Sequence, residues 1–294
     1  MAVHNDDRYL CDAIDSVLSQ TFTDFDFVIV DDASTDRSAS ILSRYMVADP
    51  RIKLVRNEKN LGLTASLNRG LGLCTGRYIA RMDSDDVCIS SRLELQLHYM
   101  KANPDVVAVS CQAEVIDPLG VPIFQTQNPT AHDAIFEELF RANGGVMAHP
   151  GLLVSKEALD RIDGYDERFR TAQDLDLYLR LGMLGRLANV DDMLLRYRQH
   201  LGSTSLAKRA QQAETARMIV NEAYSRMNED MPEDWEFVHE EEESVDARLR
   251  WGWNALRQGQ RGSAARHTLR ALASDPFNAQ GYRLLACCLR GLIR

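Results

Sequence analysis

The chain has 294 residues and a mass of 33.2 kDa, which fits two domains of ordinary size better than one small module. Its hydrophobic content of 45% and charged content of 26% are those of globular proteins, which excludes a mostly disordered or fibrous chain. No apolar run reaches the ~18–20 residues that span a bilayer, and the first ten residues lack the apolar stretch of a signal peptide. We therefore expect a cytoplasmic protein that is neither exported nor embedded in a membrane.

The net charge of −9 is concentrated in one segment of the sequence. Nine acidic residues and no lysine or arginine lie between Asn228 and Glu243, and we interpret this segment as a linker. The remainder of the chain balances 34 acidic with 34 basic residues, so it has none of the basic excess that nucleic-acid binding requires. We expect no nucleic-acid partner.

The six cysteines form no CxxC pair and show no zinc-ligand spacing. Several lie in apolar surroundings, where a cysteine behaves as a small hydrophobic residue. We therefore expect free thiols in a reducing compartment rather than disulfides or a zinc site.

Strand-like and helical segments alternate through the first 111 residues. Short runs of β-branched and aromatic residues predict strands at 25–30, 52–55, 77–82 and 106–111. Apolar residues at helical spacing predict helices from Leu10 to Leu18 and at 36–46, 63–73 and 91–100. Asp6 and Asp7 are predicted to cap the first helix, and Ser91 with Glu94 to form a capping box for the fourth. The alternation predicts a Rossmann-like α/β fold with a doubly wound, mostly parallel sheet.

The pattern changes in the second half of the chain. We predict helices at 133–141, 156–162, 175–184 and 205–227, and a strand at 193–198. After Ser244, three helical stretches separated by QGQRG and SDPFN resemble a tetratricopeptide-type helical pair. The expected organisation is a first domain over 1–206, a connecting helix and acidic linker over 207–243, and an all-α tail over 244–294.

Two of the predicted strands run directly into acidic residues, in VDDASTD (30–36) and MDSDD (82–86). Ligands bind at the carboxyl ends of the strands of a parallel sheet, where such residues meet. Crowded carboxylates repel one another, and a bound cation removes that repulsion; oxygen ligands favour Mg²⁺ or Mn²⁺. Any one of these aspartates could simply cap the next helix. Two acidic strand ends in one sheet favour a metal–nucleotide site.

Six segments over about residues 1–206 carry a recognisable pattern: VDDASTD, RNEKNLGLTASLNRGL, TGRYIARMDSDD, HPGLLVSKEALDRIDGYDERF, AQDLDLYLRL and RYRQHLGSTS. In their order and spacing they resemble glycosyltransferase family 2, whose fold is called GT-A. The resemblance implies an inverting glycosyltransferase that uses a nucleotide-activated sugar, UDP-linked in the typical case, with Mn²⁺ or Mg²⁺ as cofactor.

The resemblance also implies which residues bind the nucleotide sugar. Asp31 would hydrogen-bond the nucleobase, typically uracil, beside Val3 and His4 of the first loop. Asp83 would contact the ribose or assist the metal, and Ser84 next to it would belong to the same nucleotide-sugar site.

Further implied roles concern the metal and the acceptor. Asp85 would bind the metal on the diphosphate, and His200 would approach the metal or diphosphate as the C-terminal loop closes. Asp174 would be the general base, although Gln173 precedes it where many relatives have Glu. His149 would line the acceptor side or serve packing.

Elementary chemistry agrees with these roles. A nucleoside diphosphate leaves readily only when its charge is neutralised, and an acceptor hydroxyl needs one carboxylate to take its proton. Asp174 and Asp176 lie two positions apart, so on a helix they point to different faces. The leucines between and after them would raise the pKa of Asp174. An N-cap role for Asp174 on the helix at 175–184 is the alternative.

The start of the sequence departs from the family pattern. Relatives begin with a strand of the type VSVVMPVYN, whereas this chain starts at MAVHN, with Ala2 where proline is usual. We expect either a misassigned start codon or a short residual strand with a weakened nucleotide pocket. The short strand would leave unpaired backbone groups and an apolar gap in the sheet.

Three readings of function follow. The first is the glycosyltransferase, acting on a glycan or lipid-linked acceptor in cell-surface polysaccharide synthesis. The second is a catalytically silent protein whose helical tail recruits a protein partner. The third, a sugar nucleotidyltransferase, would need a glycine-rich phosphate loop after the first strand, and the sequence has none. The arginines of the tail leave peripheral association with anionic lipid at the inner membrane face open, next to a merely solvated basic face.

Overall fold

The computed structural model describes residues 1–200, 209–233, 235 and 247–290. The chain divides into two compact units. The first unit comprises Met1–Ala113, Gln127–Arg196 and Lys208–Val238. The second unit comprises Glu114–Thr126, Tyr197–Ala207 and His239–Arg294.

The described residues form strands and helices close to the predicted positions. The strands are β1 (Ala2–Val3), β2 (Phe27–Asp31), β3 (Ile52–Arg56), β4 (Tyr78–Ala80), β5 (Val87–Cys88), β6 (Val106–Ile116), β7 (Pro122–Gln125), β8 (Leu153–Ser155) and β9 (Arg186–Arg198). The helices are α1 (Leu10–Leu18), α2 (Ser38–Ala48), α3 (Leu63–Leu71), α4 (Arg92–Ala102), α5 (His132–Phe140), α6 (Lys156–Arg161), α7 (Gln173–Gly182), α8 (Arg209–Arg226), α9 (Ala247–Arg257), α10 (Arg261–Ser274) and α11 (Ala279–Arg290). Two 3₁₀ turns cover Gly144–Val146 and His149–Gly151.

The strands form one parallel and one mixed arrangement. β1, β2 and β3 are parallel neighbours, and every residue of β2 is buried. The other sheet has the order β4-β8-β6-β9-β5, with antiparallel pairs β4–β8, β6–β8 and β5–β9, and β7 pairs with β6. The predicted α/β fold with a parallel sheet is confirmed. The hydrophobic periodicity did not predict that the later strands pair in antiparallel fashion.

The predicted caps of α1 are wrong. Its N-terminal flanking residue is Tyr9, and no side chain caps the helix. Asp7 instead forms an ion pair with Arg37, with 2.8 Å between Oδ2 and Nε. Asp6 contributes its backbone carbonyl, which accepts hydrogen bonds from the amides of Tyr9 and Leu10.

The predicted capping box of α4 is also wrong. Ser91 precedes the helix, but its side chain makes no capping hydrogen bond. Glu94 instead accepts a hydrogen bond of 2.6 Å from the Thr21 hydroxyl. A contact to a residue distant in sequence has replaced the local one.

The helical tail consists of the three predicted helices. α9, α10 and α11 enclose an apolar core with Leu249, Trp251 and Leu284 at its centre. α8 begins at Arg209, and the first residues of the predicted helix from Ser205 lie outside the described part of the chain, as does the acidic run at 236–243.

Two expectations about environment can be compared with the structure. All six cysteines are free thiols, as predicted. Among the described residues, no helix combines the length and apolar composition needed to cross a bilayer.

A cavity of about 630 Å³ lies beside β1 in the first unit. Its lining is mostly apolar and includes Val28, Gly70, Ile79 and Leu153. The amino group of Met1 donates a hydrogen bond of 3.0 Å to Val28 O, and burial lowers the pKa of this group to about 6. Met1 and Val28 therefore lie at the edge of an apolar cavity.

Two helical glycines differ in what an added methyl group would meet. A Cβ at Gly70 would lie 3.4 Å from Val30 Cγ2, whereas one at Gly252 would lie 2.7 Å from Leu284 Cδ2 and 3.3 Å from Ala264 O. Because alanine favours the helix by about 0.5–1 kcal/mol, Gly70→Ala is expected to raise the free energy of unfolding by about that amount. Gly252→Ala is expected to lower it by about 1–3 kcal/mol through overpacking. Urea unfolding measures both, and shifts of the same sign would contradict this packing.

Candidate active site

The carboxyl end of β2 leads into a tight turn that fixes Asp31. The Asp31 side chain is 2% exposed, and its Oδ1 accepts a hydrogen bond of 3.0 Å from the Ser34 amide. Its Oδ2 lies 3.3 Å from Arg56 Nε. Ala33, within the turn, has a φ of 55°, a left-handed conformation that costs a non-glycine residue about 1–2 kcal/mol. Strain of this kind clusters at functional sites.

Asp32 is a positioning residue that the sequence did not reveal. Its Oδ1 accepts hydrogen bonds of 2.7 Å from Asn57 Nδ2 and 2.8 Å from the Leu61 amide, and its Oδ2 accepts one of 2.8 Å from the Gly62 amide. Gly62 has a φ of 90°, which only glycine adopts readily. Asp32 therefore holds the loop after β3 against the β2 turn. The sequence features that could have indicated this role are the two adjacent acids at 31–32 and the NLGL segment at 60–63.

The first loop lies against the same turn, where Val3 and His4 were predicted. Val3 is opposite Asp31 in the β1–β2 register, and its carbonyl accepts a hydrogen bond of 2.8 Å from the Asp32 amide. His4 Nδ1 lies 2.7 Å from the Asp32 carbonyl oxygen, which can only accept, so Nδ1 carries the hydrogen. Asn60 Nδ2 lies 3.0 Å from His4 Nε2. Three loops thus meet around Asp31.

The loop after β4 brings three carboxylates together. One potential ligand oxygen each of Asp83, Asp85 and Asp86 lies within 4.8 Å of the others. Burial raises the pKa of Asp83, the paired Arg81 guanidinium opposes this shift, and the charge of Asp85 adds to it. An oxygen-only donor set of this kind fits Mg²⁺ or Mn²⁺. Ser84 lies in the same loop.

Arg92 holds the backbone that leads into this loop through buried hydrogen bonds. The sequence did not reveal this role. The residue is 1% exposed, and its guanidinium donates hydrogen bonds of 2.8 Å to Arg81 O and 2.6 Å to Pro150 O. A buried charge is retained only where several acceptors surround it. In the sequence, Arg92 looked like an ordinary first-turn residue of α4.

Asp174 is the second residue of α7 and is therefore not its N-cap, which corrects the alternative reading. Its Oδ1 accepts a hydrogen bond of 3.0 Å from the Leu175 amide. Ala172, which precedes the helix, has a left-handed φ of 53°. Burial raises the pKa of Asp174, in the direction that the neighbouring leucines predicted.

Asp176 has different surroundings, as the helical spacing predicted. It is 2% exposed and accepts a hydrogen bond of 2.9 Å from Arg180 Nε. Arg180 also donates 2.8 Å hydrogen bonds to Ile162 O and Gly164 O. Asp176 therefore joins α7 to the turn after α6 and serves the fold.

Tyr165 and His149 form a buried pair in the first unit. Burial raises the pKa of the Tyr165 hydroxyl, Arg81 lowers it, and the charges of Asp83 and Asp174 both raise it further. Tyr165 OH lies 2.8 Å from His149 Nε2. Burial holds the pKa of His149 well below its ordinary value, and the Arg81 charge lowers it more. His149 is therefore a neutral, buried partner of Tyr165, which favours the packing role.

His200 follows β9 and belongs to the second unit. The carboxylate cluster found among the described residues does not include it. Its predicted role at the metal or diphosphate stays a prediction.

Sequence comparison finds a family match over the first half of the chain. Residues 1–161 match the family Glycosyl transferase family 2. The O-antigen biosynthesis glycosyltransferase WbnJ of Escherichia coli is 36% identical over 210 residues, which cover 69% of this chain and 80% of that protein. An uncharacterized glycosyltransferase of Haemophilus influenzae is 30% identical over 232 residues, with coverages of 76% and 71%.

Solved structures with the same fold cover nearly the whole chain. S. aureus TarS 1–349 in complex with UDP-GlcNAc gives a TM-score of 0.64 at 18% identity, covering 99% of this chain and 90% of that one. The mannosyltransferase PcManGT from Pyrobaculum calidifontis, in complex with GDP-Man and Mn²⁺, gives 0.58 at 19% identity, with coverages of 98% and 78%. At these identities the likeness establishes the fold.

Proposed function

The chain belongs to glycosyltransferase family 2, and from this premise we propose that it transfers a sugar from a UDP-sugar to a hydroxyl group with inversion at the anomeric carbon. The observation that carries the proposal is the cluster of Asp83, Asp85 and Asp86 after β4, whose potential ligand atoms lie within 4.8 Å of one another. We propose a growing cell-surface glycan, soluble or lipid-linked, as the acceptor. The relative named for O-antigen biosynthesis supports this acceptor class.

The nucleotide would occupy the turn after β2. Asp31 would accept hydrogen bonds from the nucleobase, with Val3 and His4 beside it, while Asp83 and Ser84 would bind the ribose and diphosphate side. The hydrogen bonds that Asp32 accepts support this placement of the nucleotide, because they hold the surrounding loops in position before any ligand binds. A prepared site loses less entropy on binding.

The carboxylate cluster would hold a divalent cation through Asp85, with Asp83 and Asp86 in support. Mn²⁺ or Mg²⁺, when bound, supplies the positive charge that makes a diphosphate a good leaving group. The Mn²⁺ bound together with GDP-Man in the mannosyltransferase complex supports this assignment.

Asp174 would act as the general base. As the acceptor oxygen forms its bond to the anomeric carbon, the bond from that carbon to the diphosphate oxygen breaks, and the hydroxyl proton passes to the Asp174 carboxylate. A single displacement of this kind inverts the anomeric centre. A raised pKa makes the carboxylate a stronger base than an exposed aspartate.

A catalytically silent protein is the second candidate. The helical tail favours this reading, because its exposed apolar side chains, such as Phe277, lie outside the residues assigned to the proposed site. One assay, the release of nucleotide from a sugar donor, distinguishes an active enzyme from a catalytically silent protein.

The test is nucleotide release from a panel of UDP-, GDP- and dTDP-sugars, with Mn²⁺ or with EDTA. We expect release from a UDP-sugar that EDTA abolishes. Release from no donor, with or without added glycan acceptors, would overturn the proposal and favour the silent protein.

A further inference from the structure

The described part of the helical tail carries a charge opposite to that of the whole chain. Residues 247–290 contain eight arginines and a single acidic residue, Asp275, whereas the chain has a net charge of −9. The arginines are Arg248, Arg250, Arg257, Arg261, Arg266, Arg270, Arg283 and Arg290. Residues 247–290 alone therefore carry an excess of seven positive charges, which gives this segment a positive local potential.

The last helix of the tail, α11, has two distinct faces. Its buried residues, spaced as on one helical face, are Gly281, Leu284 and Cys288. On another face, Tyr282 and Leu289 are 55% and 80% exposed and stand seven positions apart, so they lie above one another. Arg283 follows Tyr282 and Arg290 follows Leu289, so each arginine lies about 100° around the helix from its apolar neighbour. Both arginines are exposed. An apolar ridge therefore runs beside a basic ridge.

The turn before α11 exposes an aromatic ring and is hydrogen-bonded to Tyr282. Phe277 is 94% exposed, although its backbone is fixed: its amide donates a hydrogen bond of 3.2 Å to Asp275 Oδ1. Asn278 Nδ2 donates one of 3.2 Å to Asp275 Oδ2, and Tyr282 OH donates one of 3.0 Å to Pro276 O. The ring thus protrudes from an ordered turn and needs no further ordering to bind.

We propose that this tail surface, formed by Phe277, Tyr282, Arg283, Leu289 and Arg290, binds the surface of an anionic phospholipid bilayer. Peripheral helices bind in this way: apolar side chains enter the boundary between headgroups and acyl chains while neighbouring arginines pair with lipid phosphates. The inference concerns the second unit alone and does not rest on the catalytic assignment.

Two other occupants fit the surface less well. A second copy of the chain would bring like charges together, because a twofold interface pairs the same surface with itself. A protein partner would need pockets shaped for Phe277 and Leu289 next to a matching acidic surface, whereas a fluid bilayer needs no preformed pockets. A bilayer accommodates exposed apolar side chains, and an anionic bilayer supplies the negative charge that attracts the arginines.

The test is co-sedimentation of the full chain with vesicles of phosphatidylcholine alone or with about 30% phosphatidylglycerol, a fraction that gives the vesicle a negative surface potential. We expect binding only to the anionic vesicles, weakened by added salt. Arg283→Gln with Arg290→Gln should weaken partitioning about 25-fold, since each arginine near such a surface contributes about a factor of five. Phe277→Ser with Leu289→Ser should weaken it about tenfold or more.

The matched control is Arg44→Gln with Val47→Ser on α2, where Val47 is 84% exposed beside an exposed arginine. This variant should bind vesicles as the unaltered chain does, and all variants should keep their donor turnover in solution. Binding to neutral vesicles, no binding to anionic ones, or equal loss in the control would overturn the proposal. So would self-association in place of vesicle binding.

Discussion

Replacing Asp174 with asparagine is expected to slow sugar transfer by about 10²–10⁴-fold while leaving donor affinity within about twofold. Asparagine keeps the size of the side chain but cannot take a proton. Asp174 lies at the start of α7, apart from the β2 turn proposed for the nucleobase, so donor binding should survive. Steady-state transfer rates and equilibrium binding of UDP measure the two effects.

Asp176→Asn is the matched control, two residues further along the same helix. Removing its charge leaves the buried Arg180 without its carboxylate partner, which should lower the free energy of unfolding by about 3 kcal/mol. Turnover per folded molecule should stay near that of the unaltered chain. The assignment of Asp174 fails if the two variants lose transfer equally or if Asp174→Asn retains it.

The pH profile gives an independent check on the base. Burial raises the pKa of Asp174, and only the ionised carboxylate can accept a proton. The value of kcat/KM should therefore fall as the pH decreases through this raised pKa, above the range of an exposed aspartate. The same shift makes the ionised form less favourable in the folded state. Its contribution to stability accordingly decreases as the pH rises from the unfolded pKa to the folded one.

Replacing Asp85 with asparagine is the second change with a large expected effect, a loss of about 10²–10⁴-fold in metal-supported turnover. The variant removes one charge from the three-carboxylate cluster and with it much of the affinity for a divalent cation. Titration of turnover with Mn²⁺ should shift to much higher concentration. Asp36→Asn is the control, because Asp36 accepts hydrogen bonds from the Ser38 and Asp7 amides outside the cluster. An unchanged Mn²⁺ requirement in Asp85→Asn would contradict the assignment.

Much of the fold follows from periodicity, because the hydrophobic pattern that defines β2 or α7 is contained within the element itself. The positions of Asp31, Asp83 and Asp174 follow from the same pattern, since Asp31 ends β2, Asp83 follows β4 and Asp174 lies in the first turn of α7. These elements depend on local preference and burial, which the sequence displays directly.

Other features depend on partners distant in sequence. Glu94 would complete a capping box by local rules, but Thr21 takes its carboxylate instead. Arg92 looked like a surface residue of a helix, although two backbone carbonyls hold it in the interior. Asp32 could not be distinguished from Asp31 until the loop after β3 was seen folded against it. Tertiary contacts of this kind leave no periodic signal.

The sequence also did not reveal where the backbone adopts a left-handed conformation. Alanine at positions 33 and 172 gives no sign of a left-handed conformation, which glycine or asparagine would have indicated. Each position lies two residues from an acid that we assign to the site, Ala33 from Asp31 and Ala172 from Asp174. The surrounding contacts, rather than the alanines themselves, impose that geometry.

We expect Asp31, Asp85 and Asp174 to line a single site for a metal-bound nucleotide sugar. A crystal structure of the full chain with UDP and Mn²⁺, in which anomalous scattering locates the metal, tests this expectation. We predict one Mn²⁺ in contact with the Asp85 carboxylate, the uracil beside Asp31, and Asp174 facing the same pocket. A nucleotide bound elsewhere, or Mn²⁺ absent from the Asp83–Asp86 loop while UDP is bound, would contradict the account.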